Sequence, residues 1–212
     1  MRCRIWRQAT PTSSEAVFAN RFTVVLDACV LVPALKRNIL LSLAEAEFFR
    51  PRWSERILNE TQRAIEEILD TRGVDDPDGH ASTAIKAMRR AFEEAEIQGC
   101  EPIDTGLLGL PDPGDAHVIA AAVRAGASTI VTDNGRDFPS AVLNPLGLEA
   151  RSCDAFVADT IDLEPGEAVA ALRVMRERFA RPELDPDALL RKIEGAGMLA
   201  AADALLPHLD RL

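Results

Sequence analysis

The chain has 212 residues, and its 34 Asp plus Glu exceed its 24 Lys plus Arg, so that the formal net charge is −10 and the pI about 4.8. With 47% hydrophobic and 27% charged residues, the composition excludes a disordered or low-complexity chain. No apolar run approaches the roughly 18 residues of a membrane-spanning helix. The acidic balance also argues against binding nucleic acid through bulk positive charge.

Residues 1–20 form a polar leader that we expect to be poorly ordered, since it carries three arginines and no apolar stretch typical of a signal peptide. The cysteines lie far apart, with neither a Cys-x-x-Cys pair nor a histidine at zinc-ligand spacing. They are expected to be free, mostly buried thiols in a reducing, cytoplasmic environment. The four are Cys3, Cys29, Cys100 and Cys153.

The first strong strand signal is the apolar and β-branched run at 22–26, which ends at Asp27. A continuous apolar strand of this length is typical of a buried parallel sheet. Helical spacing of apolar residues then continues over 30–49, and the segment 50–53 interrupts it. This first stretch therefore predicts one strand followed by one helix.

Ser54 has the side chain of an N-cap, and it predicts a second helix that runs to about Thr71 and is stopped by Gly73. An acidic turn follows. The pattern then predicts a third helix over about 80–97, with a weak candidate strand at 100–103.

A small-residue helix is predicted over 115–125, and the buried strand 128–131 follows it directly. A short edge strand is expected at 147–150. Strands that alternate with helices pair in parallel through right-handed crossovers. Residues 21–151 are therefore expected to form one α/β domain of three layers around a central parallel sheet.

The character of the chain changes at residue 152, beyond which no strand signal remains. Asp154 is expected to cap a short turn. Helices are predicted over 164–180, 185–195 and 198–209, and the segment 152–212 is interpreted as an all-helical extension.

Three acidic side chains fall where an open α/β sheet places its ligands, beyond the carboxyl ends of the strands. Asp27 follows the first strand, Asp115 begins a helix, and Asp137 lies just past the strand 128–131. Gathered carboxylates repel one another unless a cation lies between them, and oxygen ligands favour Mg²⁺ or Mn²⁺ over zinc. Acidic residues at these positions also serve as helix caps, so the pattern alone leaves both interpretations open.

Four segments, in this order along the chain, resemble the motifs of PIN-domain ribonucleases of the VapC toxin type. Together they span about 115 residues, and the order of all four is far more specific than any one motif. The helical tail resembles an extension found in one subgroup of these toxins. The segments are Val24-Val25-Leu26-Asp27, Ser54-Glu55-Arg56-Ile57-Leu58-Asn59-Glu60, Pro111-Asp112-Pro113-Gly114-Asp115 and Thr132-Asp133-Asn134-Gly135-Arg136-Asp137-Phe138.

The resemblance implies a PIN-like α/β/α sandwich and an endoribonuclease that uses one or two Mg²⁺ or Mn²⁺ ions. It assigns both metal binding and catalysis to Asp27, Glu60, Asp115 and Asp137. Thr132, Asn134 and Asp112 are expected beside these ligands without holding the metal. The choice of Asp137 over Asp133 rests on family spacing, and Asp133 is then expected to point away.

Small departures from the family pattern occur at Gly114, Ala116 and Gly135, and they bear on affinity and substrate contacts. His117 is expected to have a structural hydrogen-bonding role. Basic residues that bracket the first two helices are candidate RNA contacts, although such residues usually form a solvated face. They are Lys36, Arg37, Arg50, Arg52 and Arg56, with Arg136 as a further candidate.

The expected partners are an RNA substrate, a cognate antitoxin protein that inserts a peptide into the crevice, and a second copy of the chain in a homodimer. One alternative is a non-catalytic PIN-like module that binds proteins. The other is a phosphohydrolase of the haloacid dehalogenase kind, which needs a second Asp where this chain has Cys29. Four ligand carboxylates neutralised by bound cations would reconcile the acidic pI with RNA cleavage.

Overall fold

A computed structural model describes residues 22–99, 109–179 and 183–212. Five parallel strands form one central sheet in the order β3-β2-β1-β4-β5. The α/β class and the parallel sheet are confirmed. The strands are β1 (Thr23–Leu26), β2 (Arg50–Ser54), β3 (Glu96–Ile97), β4 (Thr129–Val131) and β5 (Glu149–Arg151).

The segment 50–53 lies beyond the helical pattern, as expected, but it also forms strand β2, which the sequence analysis did not predict. Its N–H groups alternate between neighbours: Arg50 donates to Phe22 of the segment before β1, and Trp53 donates to Ala95 beside β3. Pro51 therefore has its missing N–H on the β3 side, where β3 pairs only from Trp53 onward. The proline is tolerated because no hydrogen bond is required of it there.

Helices flank the sheet. The prediction of one helix over 30–49 was wrong in detail, since the chain forms two helices separated at Pro33. The third predicted helix, expected to reach residue 97, ends at Ala91 and is followed by β3. The helices of this domain are α1 (Ala28–Leu31), α2 (Ala34–Glu45), α3 (Glu55–Thr71), α4 (Pro77–Ala91), α5 (Ala116–Ala125) and α6 (Ser140–Leu143).

The cap of α3 is confirmed, because Ser54 Oγ accepts from the Ile57 N–H at 3.2 Å. Gly126 ends α5 in the left-handed conformation, which favours glycine. Both signals were local and could be read from the sequence.

The extension contains α7 (Cys153–Leu163), α8 (Pro165–Glu177), α9 (Pro186–Gly195) and α10 (Leu199–Leu205), with a 3₁₀ segment over 206–211. The short turn expected at Asp154 was wrong: Ser152 caps the full helix α7. Asp154 instead accepts from the N–H groups of Ala200 and Ala201 at 3.1 and 2.8 Å, and so caps α10. The residues around Asp154 in the sequence do not indicate this contact, because its partners lie 46 and 47 residues away.

The extension shares its core with the sheet domain. Phe156 of α7 contacts Phe49 edge to face at a centroid distance of 5.0 Å, and α8 packs on α2. Arg178 also donates to Glu45 at 2.9 Å. The buried apolar cluster is continuous from Val24 to Leu212.

The leader 1–20, the thiols of Cys3 and Cys100 and the candidate strand 100–103 lie outside the described residues. In the described ranges, Cys29 and Cys153 are free thiols. No helix in those ranges is long and apolar enough to cross a membrane. The domain boundaries at 20/21 and 151/152 remain predictions.

Candidate metal and nuclease site

The candidate site lies at the carboxyl ends of β1 and β4, which are neighbours in the sheet. Asp27 directly follows β1, and Thr132 directly follows β4. Asp27 is only 8% exposed, and its backbone N–H donates to the Val131 carbonyl at 3.1 Å. The ladder between the two strands therefore fixes this carboxylate relative to the loop after β4.

Both oxygens of the Asp27 carboxylate are hydrogen-bonded. Oδ1 accepts from the Ala28 N–H at 2.7 Å, and Oδ2 accepts from the Thr132 hydroxyl at 2.7 Å. The Thr132 oxygen in turn accepts from the Asn134 N–H at 3.1 Å. This chain of bonds holds Asp27 in one orientation and connects it to the loop that carries Asn134.

The Cys29 thiol lies within the same network. It donates to Asp27 Oδ2 at 3.0 Å and accepts from the Asp133 N–H at 3.2 Å. Burial, followed by the negative charge of Asp27, raises the pKa of Cys29 to about 12. The thiol is therefore protonated at neutral pH. A dehalogenase-type phosphohydrolase would need a carboxyl acid–base group at this position.

Asp115 lies at the start of α5, and its Oδ2 atom is buried without a hydrogen-bond partner among the described residues. Burial first, and then the negative charges of Asp27, Asp112 and Asp137, raise its pKa to about 6, against an opposing effect of His117. The carboxylates that repel Asp115 are three of those singled out in the sequence. The fold therefore brings these three carboxylates near enough for their charges to act on Asp115.

Glu60 lies on α3, across from the start of α5, and its two carboxylate oxygens lie beside Arg56 and His117. Arg56 donates to Oε1 at 3.1 Å, and Nε2 of His117 lies 3.0 Å from Oε2. Arg56 also donates to the Gly114 carbonyl at 3.1 Å, and Nδ1 of His117 lies 2.8 Å from the same oxygen. Through these contacts, Arg56 and His117 join the second motif to the third.

Asp133 and Asp137 have different surroundings. Asp133 accepts from Lys36 Nζ at 2.6 Å and from the Cys153 N–H at 3.0 Å, so its carboxylate is engaged by α2 and α7. Asp137 ends a short 3₁₀ turn over 135–137 and is half-buried. Of the two, it is Asp137 whose charge acts on Asp115.

The gathered side chains offer hard carboxylate oxygens, which suit Mg²⁺ or Mn²⁺. The unpartnered buried oxygen of Asp115 fits this chemistry, because a bound cation would satisfy it. The types of donor atom therefore fit the metal. Across residues 22–99, 109–179 and 183–212, however, no three His, Cys, Asp or Glu side chains lie close enough together to surround one ion.

Most of the basic residues considered for RNA contact have intramolecular partners. Arg37 donates to the Leu31 and Val32 carbonyls, and Arg52 donates to the Glu94 carbonyl at 2.7 Å. Sequence reasoning did not find that Lys36 pairs with Asp133. Nor did it find that Arg56 holds Glu60, although the i,i+4 spacing of Arg56 and Glu60 was a usable signal.

The family model of the PIN domain matches residues 23–136, which is more than half of the chain. The chain belongs to the PIN domain family. That match includes Asp27, Glu60 and Asp115 and ends one residue before Asp137. The model of the VapC50 C-terminal domain matches residues 153–207, so this PIN-domain chain is of the VapC type with a C-terminal extension, as the resemblance implied.

Among curated proteins, the chain is similar to "Putative ribonuclease VapC50" of Mycobacterium tuberculosis, with 38% identity over 76 residues. The matched stretch is 36% of this chain and 45% of the relative, so the chain spans a little under half the length of the curated relative that it matches. No solved structure matches the PIN-domain chain significantly.

Proposed function

We propose that this PIN-domain chain is a Mg²⁺- or Mn²⁺-dependent endoribonuclease and the toxin of a VapBC-type toxin–antitoxin pair. The observation that carries the proposal is Asp115, whose buried oxygen has no partner among the described residues and whose pKa is raised by burial and then by three neighbouring carboxylates. Such a cluster is electrostatically costly without a cation. The family membership and the VapC50 relative support the same reaction class.

Asp27, Glu60, Asp115 and Asp137 are the groups that would hold one or two ions. When bound, the metal would activate water and neutralise developing charge at the phosphodiester. Thr132 orients Asp27 through its 2.7 Å hydrogen bond, and Asn134 lies next to it along the loop. Asp112 accepts from the Gly114 N–H at 2.7 Å and so shapes the turn that presents Asp115.

Arg136 supports RNA as the substrate. It is exposed on the turn that carries Asp137 and forms no ion pair within the described part of the chain. An exposed guanidinium on the turn that carries Asp137 is suited to bind phosphate. The proposal further includes a cognate antitoxin whose cationic peptide pairs with the crevice, a homodimer and a cytoplasmic location.

A metal-dependent cleavage assay tests the proposal. The purified chain is incubated with total RNA in EDTA, Mg²⁺ or Mn²⁺, beside Asp115→Asn and the remote control Asp185→Asn. Asp185 caps α9 by accepting from Ala188 at 2.7 Å. We expect cleavage with either metal by the unaltered chain and by the control, and none by Asp115→Asn or in EDTA. Equal cleavage by Asp115→Asn would overturn the site.

A second candidate, a non-catalytic binding module, is favoured by one observation. Both oxygens of Glu60 already have neighbours in the described chain, Arg56 and His117, as in a site that needs no metal. A Mn²⁺ titration followed by thermal unfolding separates the two functions, because a bound ion stabilises the folded state by mass action. The melting temperature of a metal-dependent nuclease should rise with Mn²⁺ concentration, whereas that of a binding module should not change.

A further inference from the structure

The loop after β4 is fastened to the C-terminal extension through the carboxylate of Asp133. Its Oδ1 accepts from the N–H of Cys153, the first residue of α7, at 3.0 Å. Its Oδ2 accepts from Lys36 of α2 at 2.6 Å. One side chain therefore joins the extension, a helix of the PIN domain and the loop of the candidate site.

Asp133 stands between two residues of the metal-site network. Thr132, which precedes it, donates to Asp27, and the N–H of Asn134, which follows it, donates to Thr132. The Asp133 N–H itself donates to the thiol of Cys29. Because adjacent Cα atoms are 3.8 Å apart, a displacement of Asp133 must move the groups that orient Asp27.

The anchor is partly shielded from water. The side chains of Lys36 and Asp133 are 15% and 31% exposed, and Cys153 is fully buried. Loss of the Asp133 carboxylate would leave a partly buried ammonium without its counter-ion and a buried N–H without its acceptor. The loop would relax to satisfy both groups, and the Thr132 hydroxyl would move with it.

We propose that Asp133 is a positioning residue, through which the C-terminal extension holds Thr132 and Asp27 in the arrangement that metal binding requires. The inference rests on the proposed function, in which Asp27 binds a divalent cation. It gives the extension a role in the site without contributing a ligand to it.

The test compares Asp133→Ala with Asp154→Ala. The control removes the same kind of carboxylate cap, since Asp154 accepts from Ala200 and Ala201, but it lies within the extension. Mn²⁺ affinity is measured from the metal dependence of unfolding, and amide hydrogen exchange is measured over 132–138. We expect Asp133→Ala to weaken Mn²⁺ binding about tenfold or more and to speed exchange in that segment. Asp154→Ala should change affinity less than about twofold.

Two milder variants apply if Asp133→Ala does not fold. Asp133→Asn keeps an acceptor for Cys153, and Lys36→Met removes the ion pair from the opposite side. Each should weaken Mn²⁺ binding by about threefold. Unchanged affinity in both, or equal affinity and exchange in the two alanine variants, would overturn the inference. If the unaltered chain binds no Mn²⁺, the proposed function fails, and exchange over 132–138 alone decides whether Asp133 holds the loop.

Discussion

The two sides of the acidic crevice hold their carboxylates in different ways. On the sheet side, Asp27 is 8% exposed and hydrogen-bonded at both oxygens to uncharged donors. On the helix side, the Glu60 side chain is 36% exposed and lies between Arg56 and His117. The Asp27 carboxylate is fixed by hydrogen bonds from uncharged groups, whereas the Glu60 carboxylate is paired with the charged guanidinium of Arg56.

The difference indicates how a cation would enter. Asp27 can accept a metal while keeping its orientation, because neutral donors do not compete for its charge. Glu60 must exchange the guanidinium of Arg56 for the metal. Asp115 has a buried oxygen without a partner among the described residues, and a bound cation would satisfy it.

Asp27→Asn should have the largest effect, because it removes charge from the fixed side. RNA cleavage should fall by more than the roughly 10–100-fold that is usual for loss of a residue that only orients a ligand. Initial rates at saturating Mn²⁺ measure the loss. Asp185→Asn, which alters a helix cap in the extension, serves as the control. A loss of cleavage rate under about tenfold would show that Asp27 does not bind the catalytic metal.

Thr132→Val should have the second largest effect, since it removes the hydrogen bond that orients the Asp27 carboxylate without altering the charge of the site. We expect Mn²⁺ affinity to fall roughly 10–100-fold and stability to fall by about 2 kcal/mol, because a hydrogen bond to a carboxylate is lost. Metal titration and urea unfolding measure the two effects. Thr160→Val is the matched control, because Thr160 is also buried and donates to the Phe156 carbonyl. Thr132→Ser should restore binding; failure of this rescue would contradict the orienting role.

Asp115→Asn should stabilise the metal-free protein. The folded pKa of about 6 exceeds the ordinary value of 3.8, so ionised Asp115 opposes folding above pH 6, and protonation relieves this as pH falls toward 4. Allowing for partial solvent screening, the gain at pH 7.5 should be about 1 kcal/mol.

Urea unfolding in EDTA from pH 4 to 7.5 measures the Asp115 effect. The unaltered chain should lose stability relative to Asp115→Asn as the pH rises from about 4 to about 6, and the difference should level off above pH 6. In the same range, Mn²⁺ binding to the unaltered chain should strengthen, because protons no longer compete for the carboxylate. An identical pH dependence of stability in both proteins would show that the pKa of Asp115 is not raised in the folded chain.

Arg56→Gln should have the smallest effect, and it should strengthen Mn²⁺ binding where the other variants weaken it. Removal of the competing guanidinium should tighten Mn²⁺ binding by about two- to fivefold, at a stability cost of roughly 0.3–0.5 kcal/mol for an i,i+4 pair. Thermal shifts across a Mn²⁺ series measure both changes. Arg173→Gln, from the i,i+4 pair with Glu177, is the control. Weaker Mn²⁺ binding than in the control would show that Arg56 supports the site instead of competing for Glu60.

The parts of the fold that sequence predicted carry strong local signals. The apolar runs of β1 and β4, the Ser54 cap and the Gly126 stop are each encoded within a few residues. Strand β2 was missed because Arg, Pro and Trp do not form a continuous apolar run, and its strand geometry is imposed by pairing with β1. Helix α7 was missed because Asp154 has the side chain of a local cap, while its partners lie 46 and 47 residues away.

By itself, the sequence determined the α/β class and the helical extension, because periodicity is a property of the chain alone. The identity of the four candidate acids came from the order of motifs that resemble those of PIN-domain ribonucleases. Only the tertiary structure decided what surrounds each acid. It joined Asp133 to Lys36 and Cys153, and Glu60 to Arg56 and His117. Such assignments depend on distances between segments remote in sequence, and the closure of the sheet and the docking of the helices set those distances.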